Sequence, residues 1–112
     1  MGQSKPDVLH GTLDLMVLTT IDLMGPLHGY GVARRIEQVS EESLSLNQGT
    51  IYPALLRLQQ RGWITAEWGV SEKNRRAKYY SLSPLGKKQV EKEAANWERV
   101  AATMARFLAI RL

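Results

Sequence analysis

No cysteine occurs in the chain, so a disulfide framework and cysteine metal sites are excluded and the composition suits the reducing cytoplasm. Histidine is nearly as scarce. His10 and His28 stand apart with no second ligand nearby, and a structural or helix-start role is expected of each. No apolar run approaches the ~18 residues of a membrane helix, because the leucine-rich stretch after Val8 is broken by Asp14 and Asp22; neither a span nor a signal peptide is expected. There is also no glycine-rich phosphate loop and no paired-carboxylate motif. Catalysis is left without a visible apparatus, and no metal or cofactor is implied.

What is present is a chain of 112 residues, 44% hydrophobic, enough for one globular domain but near the size at which a partner often supplies burial. The formal net charge of +4 is unevenly spread. Residues 1–46 carry three Lys and Arg against six Asp and Glu, residues 47–83 six against two, and residues 84–112 six against three. The basic excess begins at Asn47, as a phosphate-binding face requires, although solvated basic faces are common.

Residues 1–7, with Gly2, Ser4 and Pro6, lack periodicity and are expected to form a loose arm. Thr12–Met24 reads as a first helix, with Thr12 as cap, Asp14 favourable in the first turn and Gly25-Pro26 as the stop. Its apolar residues cover most of the circumference, so part of it is expected to meet a second chain. Pro26–Ser40 reads as a second helix, with Tyr30, Ala33, Ile36 and Val39 inward and Arg34, Arg35, Glu37 and Gln38 outward.

The stretch around which the rest is organised is Asn47–Trp63, NQGTIYPALLRLQQRGW. Ile51, Leu55 and Leu58 recur at helical spacing, and the opposite face is assigned Thr50, Arg57, Gln60 and Arg61. Asn47 is the favoured cap, with a slight kink at Pro53, and Gly62 the terminating glycine; Thr50 as cap instead places Pro53 in the first turn. A short helix with Gln and Arg outward suits the major groove of DNA, about 12 Å wide. The bland alternative is an ordinary solvated surface helix.

Beyond Gly62, WITAEW and AKYYSL flank GVSEKNRR and read as a hairpin with a long basic tip. Ser83-Pro84 is a strong helix start, and the chain to Leu112 has no further proline and no glycine after Gly86. There Ala94, Trp97, Val100, Ala101, Met104, Phe107 and Leu108 form an apolar stripe, expected to pack on the first helix and on the same helix of a second subunit. The predicted fold is mainly α with a small β-hairpin. It is a winged helix-turn-helix over residues 1–83 (recognition helix about 47–61, wing about 63–82), followed by one long dimerisation helix over 84–112. The DNA-contacting residues expected are Gln48, Thr50, Arg57, Gln60 and Arg61 on the helix, and Lys73, Arg75, Arg76 and Lys78 on the wing. A winged domain that serves as a protein adaptor without binding DNA is the competing reading.

Three segments, GPLHGYGVARRI (Gly25–Ile36), GTIYPALLRLQQRGWI (Gly49–Ile64) and RRAKYYSLSPLGKK (Arg75–Lys88), resemble the PadR family of bacterial transcriptional regulators. With its helical flanks the likeness extends over most of the chain, and Gly-Thr-x-Tyr-Pro-x-Leu joined to Lys-Tyr-Tyr-x-Leu is more specific than a generic helix-turn-helix. The resemblance implies a homodimeric regulator, usually a repressor, that binds an inverted-repeat operator in double-stranded DNA and in many members is released by a small molecule. It also implies Tyr52 as a phosphate partner, which suits its position at the side of the exposed helix face. Drug-responsive relatives hold flat aromatic ligands between tryptophans at the dimer centre. Trp97 sits at a similar place, and Met16 and Met104 are candidates to line such a slot for a small hydrophobic or aromatic effector. The tail is one helix, as in short-tailed members, which leaves the effector pocket less defined than in longer relatives.

Overall fold

A computed structural model describes residues 10–111, and the arm expected at residues 1–7 lies outside them. The elements in chain order are α1 (His10–Met24), β1 (Leu27–His28), α2 (Gly29–Val39), α3 (Gln48–Gln60), β2 (Ile64–Val70), β3 (Arg76–Leu82) and α4 (Pro84–Ile110). The expected winged helix-turn-helix with one long C-terminal helix is present. Its sheet has three antiparallel strands in the order β1-β3-β2, where a two-stranded hairpin was expected.

Local chemistry sets the helix ends. Asn47 Oδ1 accepts from the Thr50 N–H at 3.1 Å and caps α3, so Pro53 lies inside the helix. The carbonyl that its ring crowds belongs to Gly49, which has no side chain to add to the clash. At the far end Gly62 takes φ +77°. The N–H groups of Gly62 and Trp63 then donate to Gln59 O and Leu58 O, both at 3.0 Å, the pairing by which a left-handed glycine ends a helix. Ser83 Oγ accepts from the Gly86 N–H at 3.0 Å and donates to Gly62 O at 2.6 Å. One hydroxyl thus ties the end of α3 to the start of α4. Gly86 runs so close to Trp63 that a Cβ there would lie 2.0 Å from the Trp63 carbonyl oxygen.

The core gathers Val17, Leu18 and Ile21 of α1, Val32 and Ile36 of α2, and Ile51, Leu55 and Leu58 of α3. Ile64, Tyr80 and Val90 close it from the sheet and α4. Each aliphatic side chain of this size gains about 1.5–3 kcal/mol on burial, set against the entropy of ordering it. Two expectations need correction. Thr12 is inside α1, which is helical from His10, rather than its cap. The inward face of α2 is Gly29, Val32, Ala33 and Ile36, while Tyr30 and Val39 are exposed. The cause is β1: Leu27 and His28 pair with Tyr80 and Tyr79 of β3. The helix can begin only after them, where His28 Nδ1 accepts from the Gly31 N–H at 3.0 Å as cap. Arg34, expected outward, is held at 3.2 Å from both Glu37 and Glu42.

The 27 residues of α4 extend about 40 Å at 1.5 Å per residue. Val90 is its last buried residue, and from Ala95 onward every described residue is exposed. Among the described residues no helix is long and apolar enough to cross a membrane.

Candidate nucleic-acid interface

Since α3 turns Ile51, Ala54, Leu55 and Leu58 into the core, its helical period puts Gly49, Pro53, Leu56 and Gln60 on the opposite strip. All four are exposed. Gln48 and Tyr52 flank this strip on the wing side, and Thr50 and Arg57 on the other. The outward face is therefore rotated from the one read in the sequence. Thr50 is half-buried, its N–H and hydroxyl both directed at Asn47 Oδ1. Arg57 turns toward α1, where its Nη2 donates to Asp14 Oδ1 at 2.8 Å. Asp14 is 8% exposed, and Arg57 Nε is buried with no hydrogen-bond partner among the described residues. Asp14, expected to serve the helix dipole, and Arg57, expected on the outer face, are partners in one ion pair that joins α1 to α3. A buried carboxylate requires such a partner, and the two are separated by 43 residues, beyond the reach of any local pattern. Gln60 and Arg61 are exposed at the end of α3, with the Arg61 guanidinium 5.1 Å from the Trp63 ring.

In the wing, β2 and β3 stay in register from Ile64↔Leu82 to Val70↔Arg76. The tip is consequently Ser71–Arg75, shorter than expected, because Gly69, Val70 and Arg76 belong to the strands. The Ser71 N–H donates to Arg75 O and the Asn74 N–H to Ser71 O, each at 2.8 Å, with Asn74 at φ +58°, a left-handed position that asparagine tolerates. Lys73 and Arg75 are exposed on this turn. Arg76 and Lys78 share one side of the sheet with Trp68, the guanidinium 4.2 Å and the ammonium 5.5 Å from the ring centre. Such stacking restrains two long side chains before any ligand arrives, which reduces the entropy lost on contact. Tyr79 braces the hairpin: its hydroxyl donates to Val70 O at 2.9 Å, and its ring covers Gly69 so closely that a Cβ there would meet it at 2.9 Å.

Between wing and α3 lies an open cleft of about 780 Å³. Gln48 and Tyr52 line one wall with His28 and Tyr30, and Trp68, Lys73, Arg75, Arg76 and Lys78 line the other. Tyr52 packs against Gly29, where a Cβ would lie 2.8 Å from its ring and 2.9 Å from its hydroxyl. Burial pushes the Tyr80 phenol pKa up, and nearby Tyr52 adds to the shift. Among the described residues Glu72 is the one acidic residue lining the cleft. A hydrogen bond from its own backbone, then one from His28, hold its carboxyl below the usual range. Because His28 Nδ1 accepts from Gly31, the ring carries its proton on Nε2, which faces Glu72 Oε1 at 3.5 Å.

Of the expected contact residues, Gln48, Tyr52, Lys73, Arg75, Arg76 and Lys78 therefore meet around one cleft, and Thr50, Arg57, Gln60 and Arg61 stand outside it. Trp68, Tyr30 and His28 were missed as cleft residues. Trp68 read simply as a strand former, although strand alternation puts it on the side of Lys78.

A second feature is an apolar groove of about 520 Å³ between α1, α2 and Trp97, lined also by Met16, Leu23, Met24 and Val39. Trp97 and Met16 meet there, while Met104, about two turns along α4, does not line it. Trp97, Val100, Met104, Phe107 and Leu108 are 43–65% exposed, and Ala101 is exposed with them. Among the described residues no group of three or more His, Asp or Glu suits a metal ion. The side chain of His10 lies outside them.

Comparison with known proteins agrees with this geometry. Residues 17–92 match the family model described as the transcriptional regulator PadR-like family. A transcriptional regulator from Clostridium thermocellum superposes with a TM-score of 0.80 at 27% identity, over 91% of this chain and 98% of that one. A PadR family transcription regulator from Clostridium difficile gives 0.73 at 30% identity, over 86% and 97%. A PadR-like transcriptional regulator from Bacillus cereus gives 0.75 at 26% identity, over 88% and 92%.

Proposed function

Because the chain belongs to the PadR-like family of transcriptional regulators, we propose that it is a cytoplasmic repressor that binds an inverted-repeat operator as a homodimer. The observation that carries this reading is the cleft, with Lys73, Arg75, Arg76 and Lys78 on its wing wall facing Gln48 and Tyr52 of α3. With α3 in the major groove, a DNA backbone strand runs along the cleft. The wing tip reaches the next phosphates or the minor groove, and the Tyr52 phenol donates to a phosphate oxygen. Gln60 and Arg61 supply contacts from the end of α3, and Thr50 acts through the helix cap.

Residues 1–83 form the DNA-binding unit and residues 84–112 the dimerisation helix. The support for a dimer is the apolar stripe from Trp97 to Leu108, which the described residues leave uncovered. A stripe of this length against the same helix and α1 of a second copy gives the two-fold arrangement that an inverted repeat mirrors. The groove at Trp97 and Met16 suits a planar hydrophobic effector. Such a ligand changes DNA affinity only as far as it prefers one spacing of the two recognition helices.

The test is selection of bound duplexes from a random pool. The expected product is an inverted repeat bound by two protomers, with affinity falling steeply as salt is added. A pool that never enriches removes the DNA reading and favours the adaptor.

A further inference from the structure

We propose that this protein reads part of its operator through methyl groups, with Leu56, backed by Pro53, in apolar contact with the C5 methyl of thymine in the major groove. The inference rests on the reading of α3 as the recognition helix. The strip pointing away from the core, Gly49, Pro53, Leu56 and Gln60, is the part of α3 that enters a groove deepest. Gly49 offers no side chain, and Pro53 offers neither a side-chain hydrogen bond nor a backbone N–H. Leu56 is 55% exposed at its middle. Gln60 alone of the four can hydrogen-bond a base edge through its side chain.

The polar residues that flank this strip along the first three turns of α3 are committed elsewhere, and exposed Gln59 and Arg61 lie only at its end. Thr50 is folded onto the cap, Arg57 onto Asp14, and Gln48 and Tyr52 turn sideways into the cleft. Around Leu56, at the middle of the strip, no hydrogen-bonding side chain is left to face a base, and the one base that presents an apolar group in the major groove is thymine. Leu56 thus sets preference at one or two positions of each half-site, with Gln60 free to pair with an adjacent adenine.

The experiment uses the full chain and the duplex enriched from the random pool, with each thymidine replaced in turn by deoxyuridine. That change removes the methyl and keeps every hydrogen-bonding edge. The wild type is expected to lose about fourfold in affinity at the position under Leu56, and about fifteenfold when both half-sites are changed, the value of one and two buried methyl groups. Leu56→Ala is expected to bind the thymidine and deoxyuridine duplexes alike there. Wild-type binding that ignores deoxyuridine at every position overturns the inference while leaving α3 as the DNA-binding helix. Persistence of the same thymine preference in Leu56→Ala also overturns it. Failure to enrich any duplex removes the inference together with the DNA reading beneath it.

Discussion

Replacing Asp14 with alanine leaves the Arg57 guanidinium against the α1–α3 junction without its counter-charge. The pair is neither a surface contact nor fully buried, since the side chains are 30% exposed at Arg57 and 12% at Asp14, with 2.8 Å between them. Exposed pairs contribute roughly 0.2–1 kcal/mol, and stranding one charge of a buried pair costs roughly 3–5 kcal/mol. Discounting for the water that still reaches Arg57 puts Asp14→Ala at about 2 kcal/mol, or a fall in Tm of about 8 °C for a domain of this size. Arg57→Ala should cost a similar amount, and the double variant little more than either single, giving a coupling of about 1.5 kcal/mol. Urea unfolding followed by circular dichroism measures all four proteins, at one fixed protein concentration because association contributes to apparent stability. A coupling under about 0.5 kcal/mol is what an idle surface pair gives, and it means that Asp14 and Arg57 do not join α1 to α3. Undiminished stability of Arg57→Ala, joined to a lower salt slope in DNA binding, returns Arg57 to the outer face where the sequence pattern put it.

Gly86→Ala drives a Cβ into the Trp63 carbonyl, backbone against backbone, and is expected to destabilise by about 3 kcal/mol or more, read as a Tm shift in the same unfolding assay. Gly29→Ala pushes on the Tyr52 ring and is expected to weaken duplex binding about tenfold with a smaller loss of stability, as one hydrogen bond to a charged phosphate is displaced; unchanged affinity removes Tyr52 from the interface. Planar aromatic compounds are expected to quench tryptophan fluorescence in the wild type and to do so far less in Trp97→Ala. Equal quenching in both, arising from Trp63 or Trp68, leaves Trp97 as packing.

Both ends of α3 and the start of α4 were legible because caps are local chemistry: Asn47, Gly62 and Ser83-Pro84 each act within a few residues of where they stand, whereas the starts of α1 and α2 were misplaced. The phase of α2 was not, because Tyr30 and Val39 make as plausible an apolar stripe as Val32 does. What decides between them is the two-residue strand Leu27–His28, too short to show a period and paired with residues some fifty positions away. A separation of 43 residues likewise hid Asp14 from Arg57. Basic residues of the wing declared themselves by charge, and their convergence with Gln48 and Tyr52 followed once hairpin and helix were in order. The brace of Trp68 under Arg76 and Lys78 depends on side-chain stacking across strands, which alternation alone suggests only as a shared face.

Whether the cleft holds a DNA backbone strand is read from the salt dependence of binding to the enriched duplex. Comparing the wild type with the Arg75→Ala/Arg76→Ala variant, the slope of log K against log salt should become shallower by about two units per protomer, or about four per dimer, with affinity reduced on unrelated duplexes as well. An unchanged slope in the double variant takes the wing out of the interface and leaves the cleft without a bound DNA strand.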